Sequence, residues 1–479
     1  MRPPDRLTTS TQLPLLSLVE VSDLIHLGRV SSREVTEVLL DRIDRVDPKV
    51  HAFISVQDEP ALRVADAMDA LLRAGHDLGP LHGVPMAVKD LFATKGALTT
   101  AGSKILGDWT PDEDATAVAR LRSAGAVIVG KTNMDEFAFG GTTENAHHGT
   151  THNPWDLERS AGGSSGGSGA ATSASLAYAT LGTDTAASIR NPAHFCGITG
   201  FKPTYGRVSR FGVVPLAWSL DHVGPLARSV EDAAVVLKAI AGHDPRDSSS
   251  SGRSVADYRA ELDAPLGNLR VAALRGYFWD PIDPEVARIV EDSFAVIRGF
   301  GVEVVDIELP HADRFPAMQN TVLPAEASAY HLKWMQDRPG DYSPMTFERL
   351  VQGAAVRAVD LVNAERARRL TQSTVEEFMR SFDVLITPTV PYTAALLGQS
   401  MVRLGSVEIE ASAARTRNLF PFNALGLPAM SIPCGFDSRG LPVGLQIVGR
   451  AFEDSTVLQV GHAYQMSTDW HRRIPPEPA

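Results

Sequence analysis

Apolar residues recur at helical spacing early in the chain and later gather into short continuous runs. Ser31 followed by Glu34 has the spacing of a capping box, in which the two side chains satisfy backbone N–H groups at the start of a helix. Apolar residues then follow at the intervals of one helix face: Val35, Val38, Leu39 and Ile43. Pro48 is predicted to end this helix, because proline cannot continue its hydrogen bonding.

Strand-like runs alternate with helical patterns further along the chain. "GVPMAVKDLF" (83–92) is β-rich and flanked by glycine and proline, which predicts a buried strand with Lys89 near its end. Residues 116–122 have a helical pattern, and the apolar run at 126–130 predicts the next strand. The glycine between them, Gly125, is placed to stop the helix.

The same alternation returns in the second half. "RVAALRG" from Arg270, a helix opened by Asp283 and closed near Gly301, and "VEVVDI" from Val302 together predict a βαβ unit. The apolar run at 383–387 predicts a further buried strand. This order of elements predicts an α/β protein whose mixed or mostly parallel sheet has helices on both faces.

Composition narrows the classes of partner. The chain has 479 residues and a net charge of −12, and no run of Lys and Arg is present. We therefore expect a small-molecule partner, with no direct nucleic-acid or membrane surface. The N-terminus has no apolar segment typical of a signal peptide, so we expect a cytoplasmic protein. Cys196 and Cys434 are too few for a disulfide framework and are expected to be buried free thiols.

The stretch from Ser160 to Pro192, "SAGGSSGGSGAATSASLAYATLGTDTAASIRNP", is rich in glycine and serine, as a linker would be. The small and apolar residues after Gly169 instead predict a closely packed helix, which a tether does not need. A phosphate-binding loop would require a lysine after the glycines, and none follows. The segment 244–253, "DPRDSSSSGR", is predicted to be a loose surface loop.

Two serines in this stretch are candidate nucleophiles. Residues 162–166 match G-x-S-x-G, but the preceding "HNPWDLERSA" is polar and contains proline, so the strand that such an elbow needs is not expected. Ser164 and Ser188 could instead form two linked sites, which requires an adjacent base. None of the histidines is tied to them by spacing. Lys89 would serve if burial lowered its pKa, but spacing alone does not decide this.

Several segments, in this order, resemble the amidase signature hydrolases over nearly the whole chain. They are "GVPMAVKDLF", "GKTNMDEFAFGGTTEN", "GGSSGGS", "TDTAASIRNPAHFCGITGFKPTYGRVSRFGVVP", "SLDHVGPLARSVEDAA", "DVLITPTVP" and "GLPAMSIPCGFDSRGLPVGLQIVG". The resemblance implies one domain over residues 1–479, with a large mixed β-sheet between layers of α-helices. Residues 1–75 would form a helical segment packed on it, and residues 83–230 the signature core.

The resemblance also implies a site that needs neither a metal nor an organic cofactor. Lys89 would be the buried base, Ser164 the serine after a cis peptide bond, and Ser188 the nucleophile that becomes acylated. The remaining implied positions are backbone N–H groups for the oxyanion at Thr185, Ala186, Ala187 and Ser188, supporting side chains at Ser165, Asp184 and Arg190, and an acyl-side wall at Ala138, Phe139, Gly140, Gly141 and Thr142.

The chain departs from the family at the two residues before the nucleophile, where Ala186 and Ala187 replace the usual glycines. An alanine with a positive φ would be strained, so we expect both residues at negative φ, with the oxyanion site intact. Their methyl groups are expected to narrow the space beside the scissile bond.

Two branches of the family remain as alternatives. "KPTYGRVSRFG" is shared with the glutamine-hydrolysing (A-type) chain of glutamine-dependent aminoacyl-tRNA amidotransferases, but where that branch has "DLFT" this chain reads "NLFP". Because neutral Asn418 would hold the ammonium group of glutamine less well than a carboxylate, a stand-alone amidase is favoured. Its substrates would be aliphatic or aryl amides, anilides, carbamates or esters. A homodimer and a catalytically silent scaffold also stay open.

Overall fold

The computed structural model of the protein describes residues 12–477. The α-helices of this part are α1 Leu18–His26, α2 Ser32–Val50, α3 Asp58–Arg73, α4 Thr116–Ser123, α5 Gly166–Ser173, α6 Arg190–Cys196, α7 Val230–Ile240, α8 Pro284–Arg298, α9 Phe315–Asp337, α10 Pro344–Ala354, α11 Ala358–Met379, α12 Ala411–Arg417, α13 Phe420–Ala424 and α14 Asp454–Ser467. The strands are β1 Phe53–Val56, β2 Pro85–Lys89, β3 Val127–Thr132, β4 Glu144–Asn145, β5 Gly149–Thr150, β6 His152–Asn153, β7 Asp156–Ser160, β8 Ala179–Asp184, β9 Thr199–Lys202, β10 His222–Ala227, β11 Val271–Leu274, β12 Val304–Ile307, β13 Val384–Pro388, β14 Met401–Leu404, β15 Val407–Glu410, β16 Ala429–Phe436 and β17 Pro442–Gly449.

Eleven of these strands form one mixed sheet in the order β1-β3-β2-β8-β10-β9-β16-β17-β13-β11-β12. Strand β2 pairs in parallel with both β3 and β8, whereas β8, β10, β9, β16 and β17 pair in antiparallel fashion along the middle of the sheet. Every residue of β2, β8, β10, β13 and β17 is buried. A strand buried on both sides of its pleat is covered on both faces, so the predicted α/β architecture with a large mixed sheet is confirmed.

The N-terminal part begins as predicted and then joins the sheet. Ser31 Oγ accepts from the Glu34 N–H at 3.0 Å, and the Glu34 carboxylate accepts from the Ser31 N–H at 2.8 Å, which is the predicted capping box. Helix α2 continues two residues past Pro48, so the prediction that this proline ends the helix was wrong. The segment is also not purely helical, because β1 pairs with β3 at the sheet edge.

The βαβ unit predicted in the second half is confirmed. Strand β11 pairs in parallel with β12, and Val271 lies opposite Val304. Helix α8 connects them, and its first N–H groups donate to the Asp283 carboxylate, which caps the helix. Strand β13 completes this side of the sheet by pairing in parallel with β11.

Three local predictions need correction. The helix in the glycine and serine stretch begins earlier than expected, at Gly166, and ends at Ser173, before the chain enters β8. The polar run before Ser164 does form a strand, β7, but it belongs to a two-stranded hairpin outside the main sheet. The 244–253 loop is not loose, because buried Asp244 accepts hydrogen bonds from the hydroxyls of Thr116 and Ser209.

The main hydrophobic core includes side chains from Leu18 to Tyr464, so α1 and α14 share one core with the sheet. This supports the single-domain organisation, which stays a prediction for residues 1–479. Cys196 and Cys434 are buried free thiols, as expected. Within residues 12–477, no helix has the length and apolar character needed to cross a membrane.

Candidate active site

Lys89 is the last residue of β2, and its side chain is fully buried. Its Nζ atom forms a hydrogen bond of 2.8 Å with Ser164 Oγ and donates to Thr183 Oγ1 at 3.0 Å. Burial lowers the pKa of Lys89 to about 7, although the nearby carboxylates of Asp135, Asp221 and Asp184 act in the opposite direction. A large fraction of this amine is therefore neutral near pH 7 and can accept a proton.

Burial alone does not distinguish Lys89 from the other lysines. Lys131 in β3 and Lys202 in β9 are also fully buried, and burial lowers the pKa of Lys131 to about 8. Lys131 donates to the carbonyl of Phe92 and to threonine hydroxyls, and Lys202 donates to the carbonyl of Leu427. Neither bonds a serine. The contact with Ser164 sets Lys89 apart as a candidate base.

Ser164 lies in the turn between β7 and α5, and the peptide bond between Gly163 and Ser164 is cis, as the family resemblance implied. The glycines before it are needed for their backbone freedom and small size. Gly162 has a φ of 79°, which favours glycine, and a Cβ on Gly163 would lie 2.3 Å from a carboxylate oxygen of Asp135. The turn thus fits tightly against Asp135 and holds Ser164 over the end of β2.

Ser188 lies in the turn between β8 and α6, and its side chain is 5% exposed. Gly163 and Ser188 line the same cavity, so the turns carrying the two serines face one space. Within residues 12–477 the Ser188 hydroxyl has no hydrogen-bond partner, and no bond joins it to Ser164. The structure therefore joins Lys89 to Ser164 directly and brings Ser188 to the same cavity.

The turn before α6 presents backbone N–H groups to the cavity. In the described part of the chain, none of the four N–H groups from Thr185 to Ser188 donates to a backbone or side-chain acceptor. Ala186 and Ala187 are not among the residues with positive φ, which agrees with the expectation for these two alanines. Unbonded N–H groups in one turn can stabilise a negative oxygen on a carbonyl carbon attacked there.

Asp184 and Arg190 brace this turn from below. Their ion pair is fully buried, with Arg190 Nη2 at 2.9 Å from Asp184 Oδ1, and Asp184 Oδ2 also accepts from the N–H of Ile189 at 3.1 Å. Burial raises the pKa of Asp184, but the Arg190 guanidinium and the hydrogen bonds outweigh burial and hold the pKa well below its usual range. Ser165 Oγ donates to the Thr183 carbonyl, which ties the Ser164 turn to β8.

The cavity has a volume of about 500 Å³. Four of the five residues implied for the acyl side line it: Ala138, Phe139, Gly140 and Gly141. Thr142 does not line the cavity, so its implied contact with substrate is not supported. The backbone carbonyl of Thr142 instead accepts from Ser160 Oγ at 3.1 Å.

Asn418 does not occupy the place that the family resemblance gave it. Its side chain is buried and donates to the carbonyls of Phe278 at 2.9 Å and Pro388 at 3.0 Å. Asn418 is not among the residues that line the cavity. The choice between family branches therefore cannot rest on a contact between Asn418 and the ammonium group of a substrate.

Sequence reasoning missed three groups of residues at this site. Thr183 bonds Lys89, and Asp221 accepts from Thr185 Oγ1 at 2.6 Å, which supports the turn before Ser188. Both lie in the quoted family segments, so their position in those segments was the available signal. The cavity is also lined by arginines from helices far along the chain: Arg349, Arg415 and Arg417.

No group of three or more His, Cys, Asp or Glu side chains in residues 12–477 could hold a metal ion. The residues brought together at the cavity are hydroxyls, one amine and backbone N–H groups, which are the components of nucleophilic and general-base chemistry.

Three comparisons with known proteins agree with this arrangement. Residues 34–458 match the Amidase family. The chain is 44% identical to the A-type chain of the glutamyl-tRNA(Gln) amidotransferase of Moorella thermoacetica, over 97% of this chain and 99% of that protein. The solved structure of native peptide amidase from Stenotrophomonas maltophilia is 31% identical, with a TM-score of 0.84, over 97% of this chain and 99% of that one.

A further solved structure is described as an unexpected vestigial protein complex that reveals the evolutionary origins of an s-triazine catabolic enzyme. It is 36% identical, with a TM-score of 0.91, over 97% of this chain and 100% of that one. The fold and these likenesses define a hydrolase that acts on carbon–nitrogen bonds. The chain belongs to the amidase signature family.

Proposed function

We propose that this chain is an amidohydrolase that cleaves a linear amide through an acyl-enzyme on Ser188. The observation that carries the proposal is the 2.8 Å hydrogen bond between Lys89 Nζ and Ser164 Oγ, because both groups are fully buried. A buried amine with a pKa of about 7 can accept a proton from a hydroxyl, which a solvated lysine cannot do at neutral pH.

The proposed reaction moves one proton through two hydroxyls. Neutral Lys89 accepts the Ser164 proton as Ser164 accepts the proton of Ser188, and Ser188 Oγ forms a bond to the amide carbonyl carbon. The N–H groups from Thr185 to Ser188 stabilise the resulting oxyanion, an interaction worth about 3 to 4 kcal/mol for a critical donor. Ser164 then gives a proton to the departing amine and regains one from Lys89. Water finally cleaves the ester on Ser188.

Ser165, Asp184 and Arg190 serve as supporting residues in this proposal. The buried Asp184–Arg190 pair fixes the turn that carries Ser188, and Ser165 fixes the turn that carries Ser164. Ala138, Phe139, Gly140 and Gly141 form the wall against which the acyl group packs. The substrate is a small molecule, and the chemistry requires no cofactor.

Labelling with a fluorophosphonate tests the nucleophile. The unaltered protein should be labelled, and Ser188→Ala should not be labelled. A Lys89→Met variant that keeps its thermal midpoint should be labelled far more slowly, because Ser188 has lost its base. Failure of the unaltered protein to react would contradict the proposal and favour a catalytically silent scaffold.

The glutamine-hydrolysing component of an aminoacyl-tRNA amidotransferase is the second candidate function. It is favoured by 44% identity to such a component over 97% of the chain. The two functions are separated by comparing ammonia release from glutamine with chromophore release from an anilide. Turnover of glutamine only with a co-purifying partner would identify the amidotransferase function, and turnover of the anilide by the isolated chain would identify a stand-alone amidase.

A further inference from the structure

The cavity that contains Ser188 is positively charged on one side. Its wall includes three guanidinium groups, from Arg349 on α10 and from Arg415 and Arg417 on α12. Among the described residues that line it, Glu410 alone carries a carboxylate, and Glu410 is exposed. The cavity therefore carries an excess of positive charge although the whole chain has a net charge of −12.

None of the three guanidinium groups has an acidic partner in the described part of the chain. No carboxylate oxygen of residues 12–477 lies within 4.0 Å of Arg349, Arg415 or Arg417, whereas buried Arg190 is paired in this way with Asp184. The partners of the three arginines are neutral. Arg349 donates to the Phe139 carbonyl.

Arg415 and Arg417 keep buried N–H groups without an acceptor. Arg415 is 7% exposed; it has a hydrogen bond with Tyr392, but its Nε atom has no partner. Arg417 donates to the Pro281 carbonyl at 2.6 Å and to the Asn418 side chain at 3.3 Å, while its Nη1 atom is buried and has no partner. A buried charged donor without an acceptor is costly unless a ligand supplies one.

The position of Arg415 is fixed by the wall that faces the acyl group. A Cβ on Gly141 would lie 2.6 Å from Arg415 Nε, so the guanidinium rests directly against the backbone of Gly141. Buried Asp135 lies behind the same glycines and attracts Arg415 and Arg349 without pairing with either. The Arg415 guanidinium is thus held at the surface of the cavity beside Ala138, Phe139 and Gly140, which line it.

From this arrangement we infer that the amide cleaved at Ser188 carries a carboxylate, which Arg415 and Arg417 bind. The inference rests on the proposed function and names its substrate class. A carboxylate can accept two N–H groups at once, and a guanidinium matches it in shape as well as charge. The neutral aliphatic and aryl amides suggested by the small acyl-side residues are expected to be poor substrates, because they leave the arginine N–H groups without an acceptor.

Matched substrates test the inference. Succinamate and butyramide differ by a carboxylate in place of a methyl group, and the methyl ester of succinamate is a neutral control of similar size. With the unaltered protein, kcat/KM for succinamate should exceed that for either neutral amide by about 10- to 100-fold, the ratio expected for hydrogen bonds to a charged group. Equal or better hydrolysis of the neutral amides would overturn the inference.

Variants assign the effect to the two arginines. Arg415→Gln and Arg417→Gln should lower kcat/KM for succinamate by about 10- to 100-fold, mainly by raising KM, and should change that for butyramide much less. Arg369→Gln is the matched control, because Arg369 is exposed on α11, which does not line the cavity. Equal losses for both amides, with unchanged thermal midpoints, would contradict a role in carboxylate binding.

Labelling separates failure of the inference from failure of the proposed function. If Ser188 does not react with a fluorophosphonate, the proposed function fails. If Ser188 reacts, malonamate, succinamate, glutaramate or glutamine should slow the labelling, and butyramide at the same concentration should not. Reaction of Ser188 without protection by any of these carboxylates would overturn the inference alone, whether or not turnover is observed.

Discussion

Lys89 and Ser164 are 75 positions apart in the chain, yet Lys89 Nζ and Ser164 Oγ are joined by a hydrogen bond of 2.8 Å with no exposure to solvent. The amine is at the end of a central strand, and the hydroxyl is in a turn held from outside the sheet. Because Thr183 on the adjacent strand β8 also bonds the amine, Lys89 is fixed between two hydroxyl groups. Any proton that enters or leaves the lysine therefore passes first to a hydroxyl group of the protein.

The pH dependence of hydrolysis should follow the protonation of Lys89. Burial lowers its pKa to about 7, and only the neutral amine can accept a proton, so kcat/KM should rise with pH through about 7 and then level off. Initial rates across the range from acid to mildly alkaline pH check this. A flat profile, or a rate that falls as the pH rises through 7, would show that neutral Lys89 is not the base.

Replacing Lys89 with methionine or arginine should lower kcat/KM by about 100- to 10,000-fold, because a thioether is not a base and a guanidinium stays charged. Methionine fills a similar apolar volume without the buried amine, so this variant is expected to fold. Equal loss in both variants, with unchanged thermal midpoints, identifies proton transfer as the lost step. Wild-type activity in Lys89→Arg would contradict it.

Gly163→Ala should displace the turn that holds Ser164. The added Cβ would lie 2.3 Å from an Asp135 oxygen and 2.7 Å from the backbone nitrogen of Thr142, so the turn must shift. A small displacement of a catalytic group costs about 100-fold in rate, and fluorophosphonate labelling should slow accordingly. Gly252→Ala is the matched control, because a Cβ on Gly252 meets nothing within 4 Å. Similar labelling rates in the two variants would show that the turn tolerates the change.

Ala186→Gly and Ala187→Gly should widen the cavity beside Ser188 while keeping the reaction. Both alanines line the cavity and are absent from the residues with positive φ, so glycine would add space and backbone freedom, at a cost of about 0.4 to 1 kcal/mol in stability. Relative rates for acyl groups of increasing width should shift toward the wider ones. An unchanged order of rates would show that the methyl groups do not limit the acyl side.

Asp184→Asn should destabilise the fold, because it leaves Arg190 buried without its counter-charge. Removing one member of a buried ion pair costs about 3 to 5 kcal/mol, measurable as a shift of the denaturant midpoint. Asp337→Asn, which breaks an exposed ion pair with Lys333 on α9, is the control and should change the midpoint little. Equal shifts in the two variants would show that the buried pair contributes no special stability.

Local signals in the sequence determined much of the fold. The capping box at Ser31, the apolar runs that became β2 and β3, and the β11–α8–β12 unit depend on neighbours within a few residues, so their patterns can be read from the chain. Local patterns failed where tertiary packing overrides them. Pro48 is accommodated inside α2, and Asp244 orders a loop whose composition predicted mobility.

The sequence by itself also determined the types of residue at the site, since the segments with Lys89, Ser164 and Ser188 were recognisable as a set. Only the tertiary structure decided that Lys89, rather than the equally buried Lys131 or Lys202, bonds a serine. It also decided that Asn418 lies outside the cavity and that Arg415 and Arg417 line it. The reason is that pKa, burial and pairing depend on which distant segments pack together, and residue spacing along the chain does not encode those distances.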